Sequence, residues 1–179
     1  IKQVKPGNIL SFKYHDEKIL TLKETRYWDW VEKIAGQNKT INKKLSQDDK
    51  DNFRHELRNS IKRQSMSDVG ISSCVSGGID SSVISYELSL LNEKLKTFSV
   101  TFFDKDYDES IRQNLLIDRI KSEHRVIKVG ESEIDLNFRN VCSYIQQPFF
   151  RTAPIPMYLL SKMVNKSNQK VILSGEGAD

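Results

Sequence analysis

The stretch Val75-Ser76-Gly77-Gly78-Ile79-Asp80-Ser81-Ser82 decides how this chain is read. A short β-branched run over residues 69–75 leads into it, and a helical pattern over residues 83–95 leads out. A strand, a Ser/Gly-rich turn and a helix N-terminus in that order build an anion site. Gly77 and Gly78 allow the backbone to come close to the anion. The N–H groups of the turn and the positive end of the helix dipole point at it. Ser76, Ser81 and Ser82 offer hydroxyl donors, and Asp80 offers a hard oxygen ligand for Mg²⁺. A plain strand–turn–helix needs only one capping Ser or Asp, and two adjacent glycines, three serines and an aspartate exceed that. The stretch is not a Walker A loop, because no Gly-Lys-Ser/Thr follows.

A second constellation lies at the other end of the chain, Ser174-Gly175-Glu176-Gly177-Ala178-Asp179. Glycines flank Glu176, so its carboxylate can sit on a tight turn close to a substrate, and Asp179 follows three residues on. Two carboxylates repel a phosphate unless Mg²⁺ bridges them to its oxygens, or unless one of them accepts a proton from an attacking amine. Taken alone, a Gly-rich turn with a capping Asp explains the residues equally well. Beside the anion loop on one sheet edge, the chemical reading is preferred.

The rest of the chain supplies that sheet. Residues 9–14 and 19–22 flank the polar turn His15-Asp16-Glu17-Lys18 and predict a hairpin, after the turn signal Pro6-Gly7. Tyr27-Trp28-Asp29-Trp30 reads as a hydrophobic plug between two packed units, and the Lys/Asn-rich residues 31–46 read as a linker. Phe53, Leu57 and Ile61 form one helical stripe over residues 47–66, with Ser46 as its cap. Strands are expected at 70–75, 96–103, 124–129 and 170–173. Helices are expected at 83–95 (Val83, Ile84, Leu88, Leu91 and Leu95 inward), 108–122 (Ile111, Leu115, Ile117 and Ile120 inward), 134–145 and 157–164. Pro148, Pro154 and Pro156 punctuate a loop. The alternation predicts an α/β fold with a doubly wound parallel sheet and right-handed crossovers, preceded by a short β segment. Ligands of such sheets sit at the carboxyl ends of the strands, where both glycine-rich stretches fall.

Composition sets the outer limits. The chain has 179 residues, 37% hydrophobic and 29% charged, which suits one α/β domain with a small appendage. No run approaches the ~18 apolar residues of a membrane span, and residues 1–20 are too polar for a signal peptide. With Ile1 at the start and Asp179 directly after a motif, the sequence is expected to be a fragment, so missing targeting signals carry little weight. The net charge is +4, from 28 Lys+Arg against 24 Asp+Glu. These charges are dispersed and not interleaved with aromatics, so neither a nucleic-acid nor a membrane partner is expected. Cys74 and Cys142 lack metal spacing and read as buried free thiols. That fits a reducing, cytoplasmic setting.

The order Ser76-Gly77-Gly78-Ile79-Asp80-Ser81 resembles the pyrophosphate loop of the PP-loop ATP pyrophosphatase superfamily (adenine nucleotide alpha hydrolase-like). Together with Ser174 to Asp179, the chain is similar to glutamine-hydrolysing asparagine synthetases. Ser67-Asp68-Val69, Thr97-Phe98-Ser99-Val100, Tyr107-Asp108-Glu109, His124 and Pro154-Ile155-Pro156-Met157-Tyr158-Leu159-Leu160-Ser161 extend the likeness. Val4-Lys5-Pro6-Gly7 and Tyr27-Trp28 resemble the end of the family's glutaminase domain. The resemblance implies a domain layout: residues 1–30 as that tail and junction, 31–46 as linker, and 47–179 as the first part of the synthetase domain. It implies ATP and Mg²⁺ as cofactors, aspartate and glutamine as small-molecule partners, and amidation through a β-aspartyl-adenylate with release of AMP and pyrophosphate. A homodimer is left open. By the same resemblance Ser76, Gly77, Gly78, Asp80, Ser81 and Ser82 hold pyrophosphate, and Val75 and Val100 flank adenine. Ser174 and Gly175 belong to the nucleotide site, Asp80 and Asp179 face Mg²⁺, and Glu176 accepts a proton from ammonia. Glu176, Asp80 and Asp179 are the catalytic candidates.

Some residues depart from the pattern. The family's glutaminase nucleophile is an N-terminal cysteine, whereas residue 1 is Ile, and the family's downstream lysine lies beyond residue 179. The fragment alone is therefore expected to be inactive. Phe149 and Phe150 stand where aspartate-specific relatives often carry hydroxyls, which keeps another acceptor open, such as a sugar acid or a β-lactam precursor. A tRNA-modifying PP-loop enzyme would share the loop but not the Glu176 turn. A regulatory module with dead chemistry would not need Asp80, Glu176 and Asp179 intact.

Overall fold

The computed structural model describes residues 3–29, 31–32, 44–146 and 149–176, with the backbone only of Leu20 and Thr21. They belong to two compact units, Ile1–Ser46 and Gln47–Asp179.

The first unit carries the predicted hairpin. Strand β1 (Asn8–His15) pairs antiparallel with β2 (Lys18–Arg26), from Asn8↔Arg26 to His15↔Lys18. Asp16 and Glu17 at the tip both have positive φ, 47° and 61°, the backbone twist that a two-residue hairpin loop requires. The second strand runs four residues past its predicted end. Beyond it, the Tyr27 and Trp28 N–H groups donate to the Gly7 carbonyl at 2.9 and 3.2 Å, and the Arg26 guanidinium pairs with the Asp29 carboxylate. Trp30 of the expected plug and residues 33–43 of the expected linker lie outside the described residues.

The second unit runs α1 (Gln47–Gln64), β3 (Ile71–Cys74), α2 (Ile79–Leu91), β4 (Lys96–Phe102), α3 (Ser110–Ile120), β5 (Glu123–Val129), α4 (Glu131–Ile145), α5 (Pro154–Lys166) and β6 (Val171–Leu173). The four strands are parallel in the order β5-β4-β3-β6, the α/β alternation expected from sequence. Both faces of the sheet are covered. On one face Ile61, Leu88 and Leu95 pack on Ile71, Val171 and Leu173. On the other, Val141, Ile155 and Leu159 pack with Val129, and Leu160 and Val164 pack on Phe98. Within β4 the period of two sends Phe98, Val100 and Phe102 to the α4/α5 face and Thr97, Ser99 and Thr101 to the other.

Strand β3 departs most from an apolar expectation. It reads Ile-Ser-Ser-Cys, and its hydroxyls are fully buried. Ser72 Oγ donates to the Val171 carbonyl at 2.9 Å. Ser85 Oγ donates its one proton to the Ser81 carbonyl at 2.7 Å, so Ser73 Oγ, also 2.7 Å away, donates to Ser85. Small side chains let α2 sit close to the sheet, and the hydroxyls satisfy one another where water cannot reach.

Several expectations are corrected. Helix α2 begins at Ile79 rather than residue 83, because the Ser82 N–H already bonds the Gly78 carbonyl at 3.2 Å. It stops at Leu91, and Leu95, 1% exposed, is a core residue of the following turn. Phe53 of α1 and Val83 and Leu91 of α2 face solvent, and Leu57, Ile61 and Leu88 carry the contact. Ile111 and Leu115 of α3 are 77% and 69% exposed, and the buried residue there is Gln113. Helix α4 starts at Glu131, where the Glu133 carboxylate accepts the Gly130 N–H at 2.9 Å. Helix α5 starts three residues early. Pro154 and Pro156 lie in its first turn, where a missing N–H breaks no helical bond. Cys74 and Cys142 are free thiols, each half-buried. Among the described residues no helix is long and apolar enough to cross a membrane.

His124 on β5 adds a titrating group to this core. Its Nδ1 lies 2.8 Å from Thr97 Oγ1, while its Nε2 is buried with no partner among the described residues. Burial lowers its pKa, and the Thr97 contact opposes this only in part. Below its ordinary value of about 6.5 the unfolded chain takes up a proton that the folded chain resists. Stability therefore falls as pH drops through that value and levels off below the folded pKa. His124→Gln is expected to flatten the denaturation midpoint measured between pH 7 and 5, and an unchanged slope would assign the effect to other groups.

Candidate functional site

The two glycine-rich stretches meet because the strands before them are neighbours. β3 and β6 pair from Ile71↔Val171 to Ser73↔Leu173, so both chains leave the sheet at the same carboxyl edge. There they touch. A Cβ on Gly175 would lie 2.7 Å from the Ser81 nitrogen and 3.0 Å from Asp80 Cβ, closer than any side chain can approach backbone. Within the anion loop, Gly77 has φ +95°, and a Cβ there would lie 3.0 Å from Glu109 Cβ. Gly78 has an ordinary φ of −77°, and only Ser76 Oγ lies near its absent Cβ, at 3.5 Å.

Between the loops opens a cavity of about 440 Å³, a size suited to a small ligand. From the anion loop, Val75, Ser76, Gly78, Asp80 and Ser81 line it. Val100 comes from β4, and Ser174, Gly175 and Glu176 come from the turn after β6. Gly77 packs beside it against Glu109, and Ser82 turns its hydroxyl to the Gly78 carbonyl at 2.6 Å. Asp179 lies outside the described residues.

The serine hydroxyls do not simply point at a ligand. Ser81 Oγ accepts the Ser76 N–H at 3.2 Å and lies 2.9 Å from Ser76 Oγ, which in turn accepts the Gly78 N–H at 3.3 Å. The hydroxyls close the loop on itself. Among the described residues, the Ile79 and Asp80 N–H groups have no acceptor, as the first turn of a helix requires, and neither has the Gly77 N–H in the loop before the N-cap Gly78. These N–H groups are what the loop offers to an anion. Among the described lining residues there is no Lys or Arg.

Sequence reading missed part of the wall. Tyr107 and Glu109 come from the loop before α3, and Ala153, Pro156 and Met157 come from the start of α5. The signal for Ala153, Pro156 and Met157 lay in the early start of α5, which two prolines obscured. Gln113 also lines the cavity and is 2% exposed. Its Nε2 donates to the Val100 carbonyl at 3.0 Å and the Ser76 carbonyl at 3.3 Å. A glutamine between Arg112 and Asn114 in a polar stretch of helix gave no sequence signal. Of the run at 149–153, only Ala153 lines the cavity: Phe149, half-buried against the core, meets the exposed Phe138 ring in a tilted contact at 5.5 Å, and Phe150 is 98% exposed. Burial, and then the Glu176 carboxylate, push the Cys74 thiol up to about 11, so at neutral pH it is protonated and no nucleophile.

A parallel sheet with a Ser-Gly-Gly-x-Asp-Ser loop at the carboxyl edge of its first strand defines a PP-loop ATP pyrophosphatase domain. Within that superfamily the chain belongs to the asparagine synthase family, whose model matches residues 52–179. It is 30% identical over 125 residues to a putative glutamine-hydrolysing asparagine synthetase 2 of Methanocaldococcus jannaschii, a match covering 69% of this chain and 24% of that protein. Asparagine synthetase 1 of Bacillus subtilis is 33% identical over 128 residues, 70% of this chain and 20% of its own length. The human glutamine-hydrolysing enzyme is 29% identical over 139 residues, 73% of this chain and 24% of its own length. The chain thus spans a quarter or less of these relatives. Among solved structures, an NMN synthetase from Francisella tularensis shares the fold, with a TM-score of 0.50 and 18% identity over 68% of this chain and 52% of that one.

The glycines are expected to separate by mechanism. Gly77→Ala should cost about 1–2 kcal/mol through its left-handed φ, and Gly175→Ala roughly 1–3 kcal/mol through overpacking against backbone. Gly78→Ala should leave stability within about 0.5 kcal/mol. Denaturant melts of the three variants check the order, and a Gly78→Ala loss as large as the others would contradict it.

Proposed function

We propose that the chain is the ATP-activating part of a glutamine-dependent amidotransferase that converts aspartate to asparagine. One observation carries the reading: the anion loop and the Glu176 turn share a single cavity with Val75 and Val100 in its wall. The Gly77, Ile79 and Asp80 N–H groups hold the β- and γ-phosphates that leave as pyrophosphate, and Val75 and Val100 flank the adenine. With no lysine or arginine among the described lining residues, phosphate charge needs another counter-charge. Mg²⁺ suits such a site, since it binds through one or two carboxylates plus phosphate oxygens rather than an all-protein cage. Asp80, and Asp179 beyond the described residues, would hold it, and it would neutralise charge on the departing pyrophosphate. Ser174 and Gly175 contact the nucleotide beside the loop.

The acceptor carboxylate attacks the α-phosphorus, forming an acyl-adenylate and releasing pyrophosphate. Ammonia then attacks the acyl carbon and AMP leaves. Glu176, exposed on its turn at the cavity, accepts the proton that the nitrogen sheds. The hairpin unit, residues 1–30, is the end of a glutaminase domain that supplies the ammonia, joined through residues 31–46. The neutral Cys74 has no part in the chemistry.

Phe149, packed against the core, and Phe150, exposed, leave the 149–153 run with only Ala153, which has no hydroxyl, at the cavity. That favours, as a second reading, the same chemistry on a different carboxylic acid. Aspartate-dependent exchange of pyrophosphate into ATP, measured on the full-length protein, decides between them. The expected outcome is exchange with aspartate, lowered about 100-fold or more by Asp80→Ala. Exchange supported only by another acid would establish the second reading, and exchange unaffected by Asp80→Ala would remove the loop from the mechanism.

A further inference from the structure

Gln113 is the buried polar residue whose surroundings the activity above does not account for. It sits on α3 between the exposed Ile111 and Leu115, yet its own side chain is buried at the base of the cavity wall. Its orientation is chemically determined. Both partners are backbone carbonyls, which only accept, so the amide nitrogen must face them. The two carbonyls belong to different elements: Ser76 opens the anion loop and Val100 lies in β4. Without the amide, two negative dipole ends would stand unpaired beside a site that has to hold an anion.

A second observation points the same way. Gly77 packs on the Glu109 and Arg112 side chains, with Cβ distances of 3.0 and 3.5 Å from the position a Gly77 Cβ would take. Positions 109, 112 and 113 share one helical face. The loop therefore rests on α3 through three contacts, and Gln113 is the one that also reaches β4.

We propose that Gln113 is a positioning residue for the pyrophosphate subsite: its amide clamps the Ser76 and Val100 carbonyls together, so that a bound phosphate meets the loop's N–H groups and not the two carbonyl oxygens. Gln113 acts through the loop and touches no reacting atom. The inference rests on the nucleotide reading given above and names the residue that holds its anion half in shape.

Calorimetric titration of the full-length protein with ATP·Mg²⁺, with pyrophosphate·Mg²⁺ and with adenosine tests it. Gln113→Met keeps the length and removes the donors. It should weaken ATP and pyrophosphate binding roughly tenfold and leave adenosine affinity unchanged. Gln113→Arg, a side chain that only donates, should recover most of the lost affinity. Equal losses for ATP and adenosine, no loss at all, or an Arg variant no better than Met would each overturn the proposal. Gln113→Asn, which can donate but not span both carbonyls, gives the same ligand comparison if Gln113→Met does not fold. If wild-type protein binds neither ATP nor pyrophosphate, the nucleotide reading itself falls. If it binds both and the variants show no selectivity, only the role of Gln113 does.

Discussion

The structure depends on how closely two backbones approach at one edge of the sheet. Gly175 lies against the Asp80–Ser81 peptide at a distance that leaves no room for a Cβ. That approach is available because β3 and β6 are hydrogen-bonded neighbours, so their exits stand one strand spacing apart. It also needs α2 close to the sheet, which the serines of β3 permit. The cavity, the meeting of Glu176 with the anion loop and the wall formed by α5 all follow from that geometry.

Serine serves two purposes around this edge, and the structure separates them. Ser72, Ser73, Ser85 and Ser99 are fully buried and hold strands and helix together through carbonyls and, for Ser73, through the Ser85 hydroxyl; Ser99 Oγ donates to the Val75 carbonyl at 2.6 Å. Ser76, Ser81 and Ser82 shape the loop by bonding within it. Both uses leave the loop's N–H groups as the electropositive surface. A site built from fixed backbone dipoles needs no reorganisation when an anion arrives, which suits it to a phosphate chain.

How far the residues could be read varied with how local their cause was. The hairpin turn, the four strands and the glycine-rich loop were legible, because turn chemistry and short-range periodicity act over a few neighbouring residues. The start of α5 was obscured because Pro154 and Pro156 signal both a loop and a first helical turn, and only the packing of Ile155 in the core distinguishes the two. The inner face of α3 was misread for a related reason. Ile111 and Leu115 have the spacing of a core stripe, but the side turned to the sheet carries Gln113, whose partners are carbonyls 13 and 37 residues away.

The sequence by itself determined the fold class, the anion loop and the pair of glycine-rich turns with Asp80 and Glu176. Those depend on residue type and close spacing, where backbone sterics and hydrogen bonding leave few alternatives. Only the tertiary structure decided that β6 lies next to β3, that Gly175 packs on Asp80 and Ser81, and that Gln113 joins the loop to β4. Such contacts join residues up to a hundred positions apart. Their geometry is set by strand order and by which helix face the sheet accepts, and neither leaves a periodic mark on the chain.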